Sequence, residues 1–190
     1  MSGSSPEASA SVFKKYESPK MLSLEELKAW IERLAARLEM GEQWLPAYGR
    51  VGDGAYIEVD DRMYHYVGIE RGIENDRFST PDLDALLERV FRSVTFELAF
   101  RYEARHRTKV PKDCRRVAFR LQTELLSKLS LAWAKRETER HEEILQKHPF
   151  DDFAGARASL CGTYRAQGKI QEEAWKMACE KYPPSNRINE

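Results

Sequence analysis

The residues of this sequence that could do chemistry are acids and histidines standing in pairs, and each pair points to a different reaction. His65 and Glu70 lie in the run Tyr64-His65-Tyr66-Val67-Gly68-Ile69-Glu70-Arg71-Gly72, where an imidazole and a carboxylate would exchange a proton as base and acid. Glu103-Ala104-Arg105-His106 has the spacing of half a di-iron bundle site, a centre that needs a second such half and two further glutamates. Glu137 and His141 stand one helical turn apart. Glu70, Arg71 and His148 would serve an enzyme only if folding gathered them in one cleft.

Nothing elsewhere in the sequence completes any of these. There is no second Glu-x-x-His and no Gly-x-Ser-x-Gly elbow. Cys114, Cys161 and Cys179 are odd in number and widely spaced, which fits buried reduced thiols better than a disulfide framework or a zinc knuckle, and no nearby histidine activates them. Gly49, Gly52 and Gly54 lack the Lys-Ser/Thr that follows a phosphate loop. No catalytic residue, metal, cofactor or small-molecule substrate is therefore expected. His65 reads as a satisfied, partly buried histidine. Glu137 and His141, flanked by Arg136 and Arg140, read as a solvated helix face with intrahelical ion pairs.

A chain of 190 residues, 42% hydrophobic, can bury one core, and one domain is the natural count. No apolar run approaches the roughly 18 residues of a membrane helix. Residues 1–11 are rich in Ser, Ala and Gly without an apolar block or basic leader, so they read as a flexible tail and a cytoplasmic location is expected. The net charge of zero gives no global field for nucleic acid or an anionic membrane. The charges are unevenly spread, however. Eleven acids stand against six bases over residues 50–100, and eight bases against two acids over residues 101–120. That basic segment makes an RNA-associated regulator the alternative reading, against which weigh the balanced total charge and the scarcity of interleaved aromatics.

The elements that must position these residues are mostly helices. Ser23-Leu24-Glu25-Glu26 has capping-box spacing and opens a helix expected over residues 24–40, with Gly41 at its end. Residues 55–59 and 63–69 alternate as two strands of a hairpin. A three-residue loop, Asp60-Asp61-Arg62, would put Ile57 and Val59 on one face with Met63, Val67 and Ile69, and leave Tyr56, Glu58, Tyr64, Tyr66 and Glu70 on the other. Thr80-Pro81-Asp82 starts a helix to residue 105, with Thr80 as N-cap. One helix of over thirty residues is expected from Asp113 to about residue 147, then two shorter ones over 152–166 and 170–181. The fold class is α+β and mostly α-helical, an antiparallel hairpin packed on a bundle of about five helices. Residues 1–20 are expected as a flexible tail, 21–182 as a single domain and 183–190 as a polar tail.

Tyr56, Tyr64 and Tyr66 on one hairpin face, bordered by Glu58, Asp60, Asp61, Glu70, Glu74 and Asp76, have the composition of a protein interface: rigid amphipathic anchors inside an acidic rim that would draw in a basic partner. The competing reading packs the tyrosines under a helix. Both stay open on sequence alone.

Taken as a set, the run Tyr66 to Gly72, the helix around Val90-Phe91 and Thr95-Phe96-Glu97-Leu98-Ala99, then Asp113-Cys114-Arg115-Arg116, Trp133 and His148-Pro149-Phe150-Asp151 resemble the immunity protein 63 family, found beside polymorphic toxins in bacteria. The resemblance runs over about residues 56–152. It implies a small cytoplasmic protein that binds and neutralises a cognate toxin domain by occlusion, has no catalytic residues, and takes neither nucleic acid nor membrane as partner. On that footing the contact candidates are Tyr56, Glu58, Asp60, Asp61, Tyr64, Tyr66, Glu74 and Asp76. The signature positions Glu70, Arg71, Gly72, Asp113, Arg115, Arg116, Trp133, His148, Pro149 and Phe150 are either contacts or braces; Arg71 and Arg115 or Arg116 can pair with Glu70, Asp113 or Asp151 to lock hairpin to helices.

Overall fold

The computed structural model describes residues 21–49, 52–108 and 110–185. The expected N-terminal tail, 1–20, lies outside the described residues, as do 186–190 of the expected C-terminal tail. The fold is α+β and mostly helical: α1 (Leu24–Ala36), a 3₁₀ turn (Glu42–Trp44), β1 (Ala47–Tyr48), β2 (Gly54–Val59), β3 (Tyr64–Glu70), β4 (Ile73–Thr80), then α2 (Leu83–Arg105), α3 (Arg115–Ser127), α4 (Leu131–Lys147), α5 (Ala154–Ala166) and α6 (Gln171–Lys181).

α1 begins where the capping box places it, with Ser23 and Glu26 exchanging backbone hydrogen bonds. It stops at Ala36, short of the expected residue 40, and the left-handed residue beyond it is Glu39 (φ 54°), not Gly41. α2 ends where expected but starts two residues later: its N-cap is Asp82 and not Thr80, because the Asp82 carboxylate accepts from the Asp84 N–H while Thr80 accepts from the Asp82 N–H. The expected long helix is two. Lys128 closes α3, and Ser130 caps α4 by accepting from the Trp133 N–H, so the apolar period runs through a break in the backbone.

The hairpin belongs to a four-stranded sheet in the order β1-β2-β3-β4, with β1 parallel to β2 and the other pairs antiparallel. Its register differs from expectation. Val59 pairs with Tyr64 and Ile57 with Tyr66, because the Asp60 N–H donates to the Met63 carbonyl (3.0 Å) and only Asp61 and Arg62 remain in the loop. The Asp60 carboxylate accepts from the Arg62 and Met63 N–H groups, both at 2.8 Å, which satisfies a tight turn that has no glycine. Cross-strand partners share a face, so Tyr64 and Tyr66 join Ile57 in the core against α1 and α2. One core unites the sheet with α1 to α4; Cys161, Ala174 and Ala178 make a second, small cluster between α5 and α6.

The Tyr64 hydroxyl accepts from the Leu22 N–H at 2.9 Å, tying the entry of α1 to the sheet. Tyr64→Phe is expected to cost about 1 kcal/mol, read as a lower denaturant midpoint with unchanged slope. No change would mean that this tie contributes nothing to stability.

Candidate interaction surface

The tyrosine face expected from sequence does not exist as an exposed surface. Tyr56, Tyr64 and Tyr66 are 2%, 3% and 7% exposed. Tyr64 and Tyr66 fill the core, and Tyr56, on the opposite face beside Val67, donates its hydroxyl to the Gly52 carbonyl at 2.6 Å. An aromatic ring with a polar tip can be buried whole once the tip finds a partner.

The acids around them stay at the surface, mostly engaged. Arg77 bridges Glu74 and Glu58, Arg89 holds Asp76, and the Asp60 carboxylate meets the His65 ring at 2.9 Å. The two loop N–H groups and His65 hold the Asp60 carboxyl down at about 2. His65 reaches Ser79 with its other nitrogen (2.7 Å), so its partner is Asp60 and not Glu70, and no His65–Glu70 acid/base pair forms. Asp61 is exposed at the loop tip.

Glu70-Arg71-Gly72 is a turn. Glu70 pairs with Ile73, and the two residues between them have φ of 53° and 74°, the sign that a type I′ hairpin requires at both positions. Gly72 adopts this freely. Arg71 does so at a cost, and the Asp53 carboxylate braces both by accepting from the Arg71 and Gly72 N–H groups at 2.8 and 2.9 Å. Those two hydrogen bonds hold the Asp53 carboxyl below its usual range. Glu70 accepts from Asn75 (3.3 Å) and does not pair with Arg71. β4, which this turn creates, was not legible in the sequence: its residues are nearly all exposed and polar, and Asn75 is an extra residue where the β3–β4 register shifts.

The other signature residues form a brace. Asp113 accepts both Nε and Nη2 of Arg115 (3.0 and 2.6 Å) together with the Arg115 and Asp151 N–H groups. Arg115 donates onward to the His148 and Pro149 carbonyls (2.8 and 2.9 Å), and Arg116 forks onto Asp152 (2.7 and 3.1 Å) with its guanidinium over the Phe150 ring at 4.2 Å. Arg157 closes the network by reaching Asp151 and the Tyr182 carbonyl. The start of α3, the α4–α5 loop and the end of α6 are thus joined through arginines. Burial would raise the Asp113 carboxyl, but Arg115 and the two N–H groups hold it below its usual range. Trp133 stacks on Phe91 at 6.3 Å and donates its indole N–H to Asp84 at 3.0 Å. His148 contributes its carbonyl here, and among the described residues it makes no hydrogen bond or ion pair with Glu70 or Arg71.

Glu137 and His141 are not solvated: each is 6% exposed. With Gln122 of α3 they form a polar core, in which Gln122 donates to Glu137 (3.1 Å) and to the Arg92 carbonyl (3.2 Å) and its own carbonyl meets the His141 ring at 3.1 Å. The His141 ring also lies 3.3 Å from Glu137 and stacks on Phe119 at 3.8 Å. Arg140 bridges Glu137 (2.8 Å) to Glu88 (3.0 Å), which also takes Arg136. Glu88 inside the apolar run of α2 was the sequence signal of this cluster. Glu103 is buried and pairs with the exposed Arg107, while His106 turns back to the Tyr102 carbonyl, so the Glu-x-x-His residues do not converge. Among the described residues no group of three or more His, Cys, Asp or Glu could hold a metal ion.

A cavity of about 480 Å³ opens between the Trp44–Ala47 segment, the start of β2 and the Ser93–Arg101 face of α2, with the Arg101 guanidinium 4.6 Å from the Trp44 ring centre. Half of the bases of segment 101–120 are engaged within the fold, since Arg107, Arg115, Arg116 and Arg120 each hold a carboxylate. Phosphates would have to compete with those pairs. Among the described residues no helix is long and apolar enough to cross a membrane.

No curated protein and no solved structure matches this chain. Residues 60–143 match a family model described as immunity protein 63, a span that begins at the β2–β3 turn and ends within α4. That segment, which holds the Arg71–Gly72 turn, Arg115, Arg116 and Trp133, is thus similar to the immunity protein 63 family.

Proposed function

We propose that this protein neutralises a cognate toxin domain by binding over it, in the cytoplasm of the cell that makes both, as one folded unit without catalysis. The match of residues 60–143 to the immunity protein 63 family carries this reading. Two groups of candidate reactive residues serve as braces: Asp113 with Arg115 at the start of α3, and Glu137 with Arg140, Gln122 and His141 between α3 and α4. Occlusion needs a surface of about 800 Å² per partner and no reacting group.

Of the sequence candidates, Asp60, Asp61, Glu74 and Asp76 keep the exposure that a contact needs, and Asp60 and Asp61 stand together at the β2–β3 turn, while the tyrosines are buried. An acidic loop fits a basic toxin surface, such as the groove of a nuclease. Growth rescue tests the reading: co-expression with the toxin domain encoded beside the gene is expected to restore growth, and persistent toxicity with every adjacent toxin would sink it. Asp60→Lys with Asp61→Lys is expected to weaken binding about tenfold, more at low salt than at high. Unchanged affinity would move the contact away from this loop.

A further inference from the structure

Arg71 occupies a backbone conformation that glycine and asparagine adopt without strain and that other residues avoid. A turn selected for stability alone would not put a long β-carbon-bearing cation there. The side chain contributes nothing visible to the fold in return: among the described residues its guanidinium makes no hydrogen bond and no ion pair, whereas Arg77, Arg89, Arg115, Arg140 and Arg157 each hold a carboxylate. What the fold fixes is the position of the tip. Asp53 takes both turn N–H groups, and β3 and β4 pair up to Glu70 and Ile73. A rigid two-residue turn therefore projects an uncommitted guanidinium, and next to it stands Ile73, 68% exposed.

We propose that the Arg71–Gly72 turn is a contact point of this protein with its toxin, and that Arg71 docks a carboxylate set in an apolar surface on the partner. The inference rests on the toxin-neutralising reading and names a part of its interface. A guanidinium fork matches a carboxylate in two parallel hydrogen bonds, and an arginine beside an exposed apolar residue is the composition of an interface centre. The strain at Arg71 is then retained because the turn aims the side chain outward. Asp60 and Asp61 lie at the other end of β3, a strand length of roughly 20 Å away, so one interface of ordinary size can include both ends.

Arg71→Asn keeps the left-handed turn and removes the cation. The full chain carrying it should melt at the parent temperature or above, and its affinity for the toxin domain encoded beside the gene should fall about tenfold or more, with Arg71→Glu falling further. Parent-like affinity in Arg71→Asn, or a lowered melting temperature, overturns the proposal while the toxin-binding reading stands. A parent chain that binds no adjacent toxin overturns both. If the parent instead shifts bulk RNA in a gel and Arg71→Asn does not, the group received is a phosphate, and the carboxylate assignment is wrong.

Discussion

Glu137→Ala is expected to destabilise the protein by about 3–5 kcal/mol, enough to leave the folded state marginal in a protein of this size. The side chain is buried and accepts from Gln122 and Arg140, with His141 at 3.3 Å, so its removal strands a buried amide, a guanidinium and an imidazole together. The loss comes from those orphaned partners more than from the missing methylenes. A triple replacement of Glu137, His141 and Gln122 by leucine or methionine is accordingly expected to recover much of the stability that Glu137→Ala removes. Chemical denaturation measures both, and a single variant within 1 kcal/mol of the parent would show that the cluster is not a structural unit.

The same cluster sets the acid limit. Burial pushes the Glu88 and Glu137 carboxyls up, but Arg136 and Arg140 hold Glu88, and His141 and Arg140 hold Glu137, below the ordinary range. A carboxyl whose folded value is depressed contributes stability above its unfolded value of about 4.3, and loses it as pH falls through the folded value. Stability should therefore be level near neutrality and fall below about pH 4.

Asp113→Ala is expected to cost about 3 kcal/mol, with the effect concentrated in one part of the fold. Asp113 is buried and takes four hydrogen bonds from Arg115 and Asp151, and through Arg115 it reaches the His148 and Pro149 carbonyls. α5 and α6 share their own small apolar cluster, so their attachment leans on this brace. Hydrogen exchange should show the amides of α5 and α6 opening first while those of α2 and the sheet stay protected. Uniform acceleration across the chain would mean that the brace belongs to the global core. The exposed Arg116–Asp152 fork is a control, since solvent screening leaves such pairs little net effect.

The parts of the fold legible in sequence were those where period and punctuation agreed. α2 has a long apolar stripe and a polar, proline-marked start, and it ends at Arg105 as expected while beginning two residues later than Thr80 as N-cap would place it. α3 and α4 were read as one helix because Leu125, Leu129 and Trp133 keep helical spacing across the break at Lys128–Ser130. Tyr64 and Tyr66 were offered to the surface because a tyrosine is amphipathic, and the register that decides their side depends on one hydrogen bond, Asp60 N–H to Met63, that no residue pattern announces. β4 escaped because Glu74, Asn75, Asp76 and Arg77 read as a loop, while an edge strand tolerates such residues. The buried polar core escaped for the opposite reason, since charged residues at helical spacing usually mean solvent.

Occlusion of a toxin is most directly tested by titrating the purified chain into the purified toxin domain encoded beside its gene and following the toxin's own activity. The expected result is a linear loss of activity to a sharp break at a fixed molar ratio, with the mass of both proteins unchanged. Full toxin activity in several-fold excess of this chain would contradict the binding claim, and complete loss at substoichiometric amounts would show that the protein is an enzyme.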